Sequence, residues 1–535
     1  MRLWTVNEMR AVEQEANQRG VSYDQMIEQA GAGVAFWVDG VYGREDEVCY
    51  AVGLVGSGHN GSDTLAALIE LASLGWVAKA YLLKDLPVDD VWRQRAAEAQ
   101  IEMVAMEADK GFDALEEWLE DADVLLDGLA GTGFKPPIKP DLAKLLENVL
   151  HFTDGLPIVA VDCPSGMDCE TGTVADETLH ADLTVCIHAV KTGQLRLPAF
   201  RYLGQLVQVE LKLPEDLSSY PNVVREVASY QDATWLLPDR PEDAHKGMFG
   251  KALIVAGSIN YTGAAQLAAL AACRVGTGLV RLAVPGALHT ALAGSLPEVT
   301  WLVLPQEMGV IAAGAEDVLF KNLEDVDALL LGPGWGREDT TGEFLRQLLS
   351  GGDHIQRRTI GFVLSDDEAL DQEKKVTLPP LVLDADGLRL LAKLPDWPRL
   401  LPQGTVLTPH PGEMAALTGW TVEKVQEDRM ETARHFAMLW NQVVVLKGAF
   451  TVIAAPDGRV MVIPVATAAL AHAGTGDVLA GMVVGLRAQG LDAYDSAVAA
   501  AYFHAQAGWV AEQRIGGTAP VLARDVLEAL VTVMA

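Results

Sequence analysis

Cationic side chains are scarce in this chain: 40 Lys and Arg stand against 73 Asp and Glu, a formal net charge of -33 at pH 7. So acidic a molecule repels a phosphate backbone. A general grip on nucleic acid or on anionic membrane is excluded, which leaves room only for a local basic pocket that could take a nucleotide. Cysteine is scarce as well. The 5 residues, Cys49, Cys163, Cys169, Cys186 and Cys273, contain no C-x2-C pair for zinc, and an odd number spread over 535 residues makes no disulfide framework. They read as reduced thiols. The apolar runs are broken by glycines and charges, so no membrane span is expected. The opening MRLWTVNEMRAVEQEA shows acids and helical spacing where a secretion signal would show a cationic and then an apolar stretch. A cytoplasmic protein is the expectation.

What is abundant is apolar sequence, 50% of the chain, enough at this length for two to four domains with cores of their own. Short apolar runs alternate with helical patterns: VCYAVGLVGSG, TLAALIELASLGW, VAKAYLL, DVLLDGLAG, LPIVAVDCPSG, and again after His245 in KALIVAGS, VDALLLGPGWG, PLVLDADG, GTVLTPH and QVVVLKGA. Continuous Val/Ile/Leu runs of strand length between helices imply parallel sheets covered on both faces, an α/β architecture that is Rossmann-like in its first half. The proline- and charge-rich stretch between residues 214 and 240 lacks a sustained buried strand, and the boundary is placed there, giving domains 1–220 and 221–535. In open parallel sheets ligands lie beyond the carboxyl ends of the strands.

In the first half, GLVGSGHNGSD follows a strand and opens a helix, the context in which glycines let backbone approach a pyrophosphate, although the full G-x-G-x-x-G spacing is missing. Asp127 closes one strand and Asp162 another, with Ser165 just beyond. Adjacent strands would bring Asn60, Asp127, Asp162 and Ser165 to one rim, where oxygen donors without His or Cys suit a hard cation and a buried carboxylate can work as acid or base. Turn and helix capping is the competing reading of Asp162 and Ser165 taken singly.

In the second half, TPHPGEMAALTG holds His410 in a rigid turn between prolines, GPGWG is a strand-end glycine loop, and Asp384 and Asp386 of VLDADG could share the rim. Lys447 ends VVVLKGAF, and AGTGDVLAG follows about thirty residues later. Its glycines open an apolar helix whose first amides would face an anion, and Asp477 lies among them. An acid that only lined a phosphate pocket would repel its ligand. A phosphoryl-transfer site uses both groups: amides stabilise charge on the transferred group while the acid takes a proton from the attacking hydroxyl.

In this order HKGMFGKALIVAGS, GPGWG, LVLDADGL, TPHPGE, VVVLKG and AGTGDVLAG resemble the ADP-dependent NAD(P)H-hydrate dehydratases of the ribokinase-like superfamily. NEMRAVEQEA, GSGHNGSD, DGLAGTGF and VDCPSGMDCETG are similar to NAD(P)H-hydrate epimerases. The two resemblances span nearly the whole chain, as in bifunctional NAD(P)H-hydrate repair enzymes. They imply a Rossmann-like epimerase domain and a ribokinase-like dehydratase domain that together repair hydrated NADH and NADPH. The R and S epimers are interconverted, and the S form is dehydrated with ADP as phosphoryl donor, giving NAD(P)H, AMP and phosphate. Potassium and magnesium are the implied ions, and a homo-oligomer is compatible.

Carried over by motif, Asn60, Asp127 and Ser165 would hold potassium, while His59, Asn60, Gly61, Ser62, Asp63, Gly131, Thr132, Gly133, Phe134, Lys135, Pro136, Pro137 and Asp162 would line the epimerase pocket. Ala264 or Ala265, Gly334, His410 and Asp477 would meet the hydrated coenzyme, and Lys447, Gly448, Ala449, Phe450, Thr451 and Gly476 the adenine nucleotide, with Asp477 and Asp162 the catalytic acids. The loop HNGSDT departs from the family pattern: His59 stands for an asparagine, Ser62 and Thr64 for glycines. Bulk in a loop that must approach its ligand is expected to weaken or retune the epimerase. Likewise TAAL at 467 to 470 replaces the usual asparagine-proline lead-in. The rival reading is a ribokinase-like small-molecule kinase fused to a non-catalytic Rossmann-like binding domain.

Overall fold

Strand-forming runs that are buried on both faces organise the chain into two parallel sheets, each the core of one unit. The computed structural model describes residues 1–153, 155–351 and 377–534, and it divides into Met1–Val227 and Ala228–Ala535. No helix among the described residues is long and apolar enough to cross a membrane.

In the first unit the sheet contains β1 (Tyr50–Val55), β2 (Val77–Leu82), β3 (Glu102–Ala105), β4 (Val124–Gly128), β5 (Ile158–Val161), β6 (Leu183–Ile187) and β7 (Gln205–Val209), in the order β3-β2-β1-β4-β5-β6-β7. Every pair is parallel. All residues of β4, β5 and β6 are buried, which is why their sequences carry no polar alternation. The chain leaves β1 toward one edge and returns to β4 on the other side, so the loops after β1 and β4 diverge and leave a crevice at their carboxyl ends. Helix α1 (Val6–Gln18) starts from a Thr5/Glu8 capping box, and α2 (His59–Ser73) opens directly after the β1 loop.

The second sheet is built from β8 (Lys251–Val255), β9 (Leu279–Pro285), β10 (Thr300–Leu304), β11 (Ala328–Leu331), β12 (Leu381–Leu383), β13 (Val406–Leu407), β14 (Val443–Leu446), β15 (Val452–Ala454) and β16 (Val460–Val462). They run in the order β16-β15-β14-β13-β12-β11-β8-β9-β10, parallel from β14 to β10 and antiparallel through β15 and β16. Here the order reverses between β8 and β11. Helices α3 (Thr262–Arg274), α4 (Pro411–Thr418) and α5 (Thr475–Ala488) follow the sheet's strand-end loops, and α6 (Ala493–Ile515) follows α5. The run VLAGMVVGL is apolar all round, and α5 is accordingly buried from Val478 to Leu486. Its Gly481 lies so close to α3 that a Cβ there would overlap the Ala268 backbone carbonyl. Small residues on both helices set that approach.

Candidate active sites

The crevice of the first unit is a cleft of about 900 Å³ at the carboxyl ends of β1, β4 and β5. His59, Asn60 and Asp63 line it from the start of α2, Gly131, Thr132, Gly133, Phe134, Lys135 and Pro137 from the β4 loop, and Asp162 from the end of β5. Gly61, Ser62 and Pro136, expected here, do not line it. Gly61 instead packs so tightly beneath the turn that a Cβ would overlap the Gly56 carbonyl oxygen. Lys135 is drawn aside into an ion pair with Asp168 at 2.8 Å.

Asp162 adopts a left-handed backbone (φ 65°), unusual for a residue with a Cβ. Its carboxylate accepts the Ile187 N–H at 2.9 Å and pairs with the Lys191 ammonium, and its carbonyl accepts from Gln194 Nε2 at 2.9 Å. Lys191 is 1% exposed; burial alone would strip its proton, but the facing Asp162 carboxylate outweighs that and holds its pKa above the ordinary lysine value. Two further acids share the cleft. Burial lifts Asp63 well above the carboxylate range, with the charges of Asp162 and Glu13 adding to the shift. Glu13, from α1, is raised to about 7 by burial with Asp162 adding and Lys191 opposing. Neither Glu13 nor Lys191 was expected from sequence. Glu13 looks like one more surface acid of an amphipathic helix, and Lys191 like an ordinary lysine after an apolar run.

Beneath the cleft floor Asp127 and Ser165 are fully buried. Ser165 donates to both Asp127 oxygens, through its hydroxyl at 2.5 Å and its N–H at 2.8 Å, and its own oxygen accepts the Ala130 N–H at 2.9 Å. Burial raises Asp127, against the hydrogen bonds from Ser165. Asn60 lies above them against Gly131, and its side-chain nitrogen is buried without a partner. Among the described residues no group of three His, Cys, Asp or Glu side chains could hold a metal ion.

The bulk expected to crowd the loop goes elsewhere. Thr64 is fully buried, its hydroxyl donates to the Asn60 carbonyl at 2.8 Å, and its side chain fills the space left by Gly128 on β4, where a Cβ would overlap Thr64 Oγ1. Of the three departures only His59 faces the cleft, its ring 5.2 Å from that of Tyr23.

In the second unit the loops after β8, β11, β12, β13 and β14 meet. Gly257 N–H donates to the Pro333 carbonyl at 2.8 Å and Gly336 N–H to Asp386 at 3.0 Å, tying the β8, β11 and β12 loops together. Gly334 abuts Ala264 and Tyr261. Ala264 is half-buried beside it, whereas Ala265 is fully buried under Gly257, so only the first of these alternatives can meet a ligand.

Lys447, at the end of β14, pairs with Asp384 at 2.6 Å and lies 3.8 Å from Glu413. Asp384 also accepts from the Thr408 hydroxyl at 2.7 Å. His410 caps α4: its Nδ1 accepts the Gly412 N–H at 3.0 Å, which puts the ring proton on Nε2, 3.2 Å from Glu413. The rigid presentation inferred for His410 is thus real, but both ring nitrogens are engaged within its own turn. Lys447 keeps its proton, since Asp384 and Glu413 outweigh the cost of its burial. Asp477, at the start of α5, is raised to about 7, first by burial and then by Asp384, with Lys447 opposing.

A cavity of about 370 Å³ opens beside this network. His410, Lys447, Gly448, Ala449, Thr451 and Gly476 line it together with the apolar Ile463, Val465, Leu470 and Leu479. Phe450 and Asp477 are not in its wall; Phe450, with φ 54°, bonds its N–H to the Val465 carbonyl at 3.1 Å, and Asp477 follows the lining Gly476. His504, from α6, also lines the cavity, a residue that sequence reasoning passed over as one polar letter in an alanine-rich helix.

A family model described as NAD(P)H-hydrate dehydratase matches residues 252–530, and one described as YjeF-related protein N-terminus matches residues 23–193. The bifunctional NAD(P)H-hydrate repair enzyme Nnr of Moorella thermoacetica is 34% identical over 487 residues, covering 89% of this chain and 85% of the relative. Its counterpart in Salinibacter ruber is 34% identical over 538 residues, with 95% and 92% covered. Among solved structures, an ADP/ATP-dependent NAD(P)H-hydrate dehydratase from Bacillus subtilis, co-crystallised with ATP and Mg2+, is 29% identical at a TM-score of 0.45, covering 58% of this chain and 98% of that one. With matches to both halves and to full-length relatives, the chain belongs to the family of bifunctional NAD(P)H-hydrate repair enzymes.

Proposed function

We propose that the second unit dehydrates the S form of hydrated NADH and NADPH at the expense of ADP, with Asp477 as the base. Asp477 takes the proton of the substrate hydroxyl, whose oxygen attacks the β-phosphorus of ADP. The bond to AMP breaks, and the phosphorylated hydroxyl then leaves as phosphate while a ring proton is lost, restoring NAD(P)H. The first amides of α5 and the Lys447 ammonium offset charge on the transferred group. Ala264, Gly334 and His410 would bound the coenzyme, and Lys447, Gly448, Ala449, Thr451 and Gly476 the nucleotide. Among the described residues no group of three carboxylates could hold magnesium, so its neutralisation of phosphate charge would depend on the nucleotide's own oxygens. The observation that carries the reading is the placement of one acid in the first turn of an apolar helix, close enough to Lys447 for each charge to act on the other. Supplying ADP and hydrated NADH and following the reduced-nicotinamide absorbance tests it. Recovery is expected; no recovery together with phosphorylation of another alcohol would favour the kinase reading.

The first unit, in this proposal, interconverts the R and S forms in the Asp162 cleft. Asn60, Asp127 and Ser165 would hold potassium there. Their oxygen donors suit a hard monovalent ion, which would fix the loops that frame the cleft. Asp162, held by Lys191, and the protonatable Asp63 and Glu13 can give and take a proton at the substrate's hydroxylated carbon. A pure epimer incubated with the full chain and potassium, without ADP, should racemise at that carbon; an uncatalysed rate would leave this unit a binding module.

A further inference from the structure

We infer that His504 reads the nucleotide's base, selecting adenine by accepting a hydrogen bond from its exocyclic amine at Nδ1. This rests on the reading of the 370 Å³ cavity as the nucleotide site. The cavity wall carries two kinds of chemistry. Lys447, the Gly448–Ala449 turn and the start of α5 suit phosphates, while Ile463, Val465, Leu470 and Leu479 supply apolar surface suited to a flat ring. Helix α6 contributes Ala501, His504 and Ala505 to the same wall. At spacings of three and four these residues share one face, and the alanines leave room beside the imidazole.

The tautomer of His504 follows from one contact. Its Nε2 lies 2.8 Å from the Thr475 carbonyl, which can only accept, so Nε2 carries the proton and Nδ1 carries a lone pair. Among the described residues no protein group donates to Nδ1. Burial pushes the ring's pKa down to about 4, so it stays neutral and this assignment does not change near pH 7. Neighbouring hydroxyls do not compete: Thr451 donates to the Gly448 carbonyl, Thr467 to Glu512 and Thr475 to the Leu470 carbonyl. A buried acceptor fixed in this way favours the amine of adenine and opposes the carbonyl oxygen that hypoxanthine carries at the same position. The Thr475 contact also links His504 to the first turn of the anion-binding helix.

The test compares ADP with IDP in the full-length enzyme, as kcat/KM for dehydration of the S hydrate. The unaltered protein should favour ADP by roughly ten- to a hundredfold, the range of one satisfied against one opposed buried hydrogen bond. His504→Phe should bring the ratio to within about threefold of unity, mainly through a higher KM for ADP, with the KM for the hydrate unchanged. His504→Gln, which keeps an amide oxygen as acceptor and guards against misfolding of the aromatic variant, should retain part of the preference. An undiminished preference in His504→Phe, or none in the starting protein, overturns the inference. If instead calorimetry shows that Lys447→Met binds ADP as tightly as the unaltered protein does, the nucleotide reading of the cavity fails as a whole.

Discussion

Replacing Asp477 by Asn removes the proposed base while keeping its size, and the surroundings of the acid predict opposite effects on rate and on stability. A positioned general base contributes about 10² to 10⁴ in rate, equivalent to about 2.7 to 5.4 kcal/mol of barrier, and dehydration by Asp477→Asn should fall within that range. Stability should move the other way. The folded chain holds the Asp477 proton up to about pH 7 against an ordinary value of 3.8, so between those values the unfolded state has lost a proton that the folded state keeps. Stability therefore declines as pH rises through this window, and above 7 the ionised, buried carboxylate costs about 4 kcal/mol, chiefly from burial and from Asp384. Asn carries no such cost. Thermal unfolding at pH 8 should show the variant more stable by several degrees, with the gain shrinking toward pH 4. ADP should bind the variant at least as tightly, since a negative charge beside the phosphates is gone, and calorimetry reads this directly. Dehydration within tenfold of the parent at pH 8, or a variant less stable there, would refute the assignment. The parent's kcat/KM should rise with pH through about 7 as the base ionises.

Lys447→Met strands Asp384, which is 1% exposed, and should destabilise the second unit by about 3 to 5 kcal/mol while abolishing turnover; chemical denaturation measures the first effect and absorbance the second. Lys191→Met should do the same to the first unit through Asp162, lowering epimerisation while the dehydration of supplied S hydrate proceeds. Gly481→Val drives a side chain into the α3 backbone and should cost about 1 to 3 kcal/mol or more, read as a lower melting temperature. Thr64→Gly, which restores the family's residue, should not speed epimerisation but should lower stability by about 1 to 3 kcal/mol, because it empties a filled site and removes a helix-favouring side chain.

The two sheets were legible because strands buried on both faces must be continuous apolar runs: YAVGLV, VLLDG, IVAV, KALIV and VVVL are strands, and each delivers its following loop to the rim where chemistry was sought. Asp162, His410 and Lys447 were visible for the same reason, as polar residues at the ends of such runs, and Asp477 because glycines before an apolar run mark the start of a helix. Lys191, Glu13 and His504 were not. What singles them out is a neighbour distant in sequence: Asp162 for Lys191, the far wall of the cleft for Glu13, the Thr475 carbonyl for His504. The alanines that flank His504 were the one local hint, since small residues beside a polar one on a helix face leave space that something must fill. Where the altered loop puts its bulk was not legible, because length and bulk along the chain do not reveal direction, and the Thr64 side chain packs against Gly128 of β4.

That direction gives the loop a dependence on a strand 64 positions away. Since the threonine occupies the volume a missing Cβ leaves on the neighbouring strand, neither position can drift alone: a larger residue at 128 would be tolerated only after 64 had shrunk. Competence of this loop is therefore a property of a complementary pair, and scoring its letters one at a time counts as damage what the fold has already accommodated.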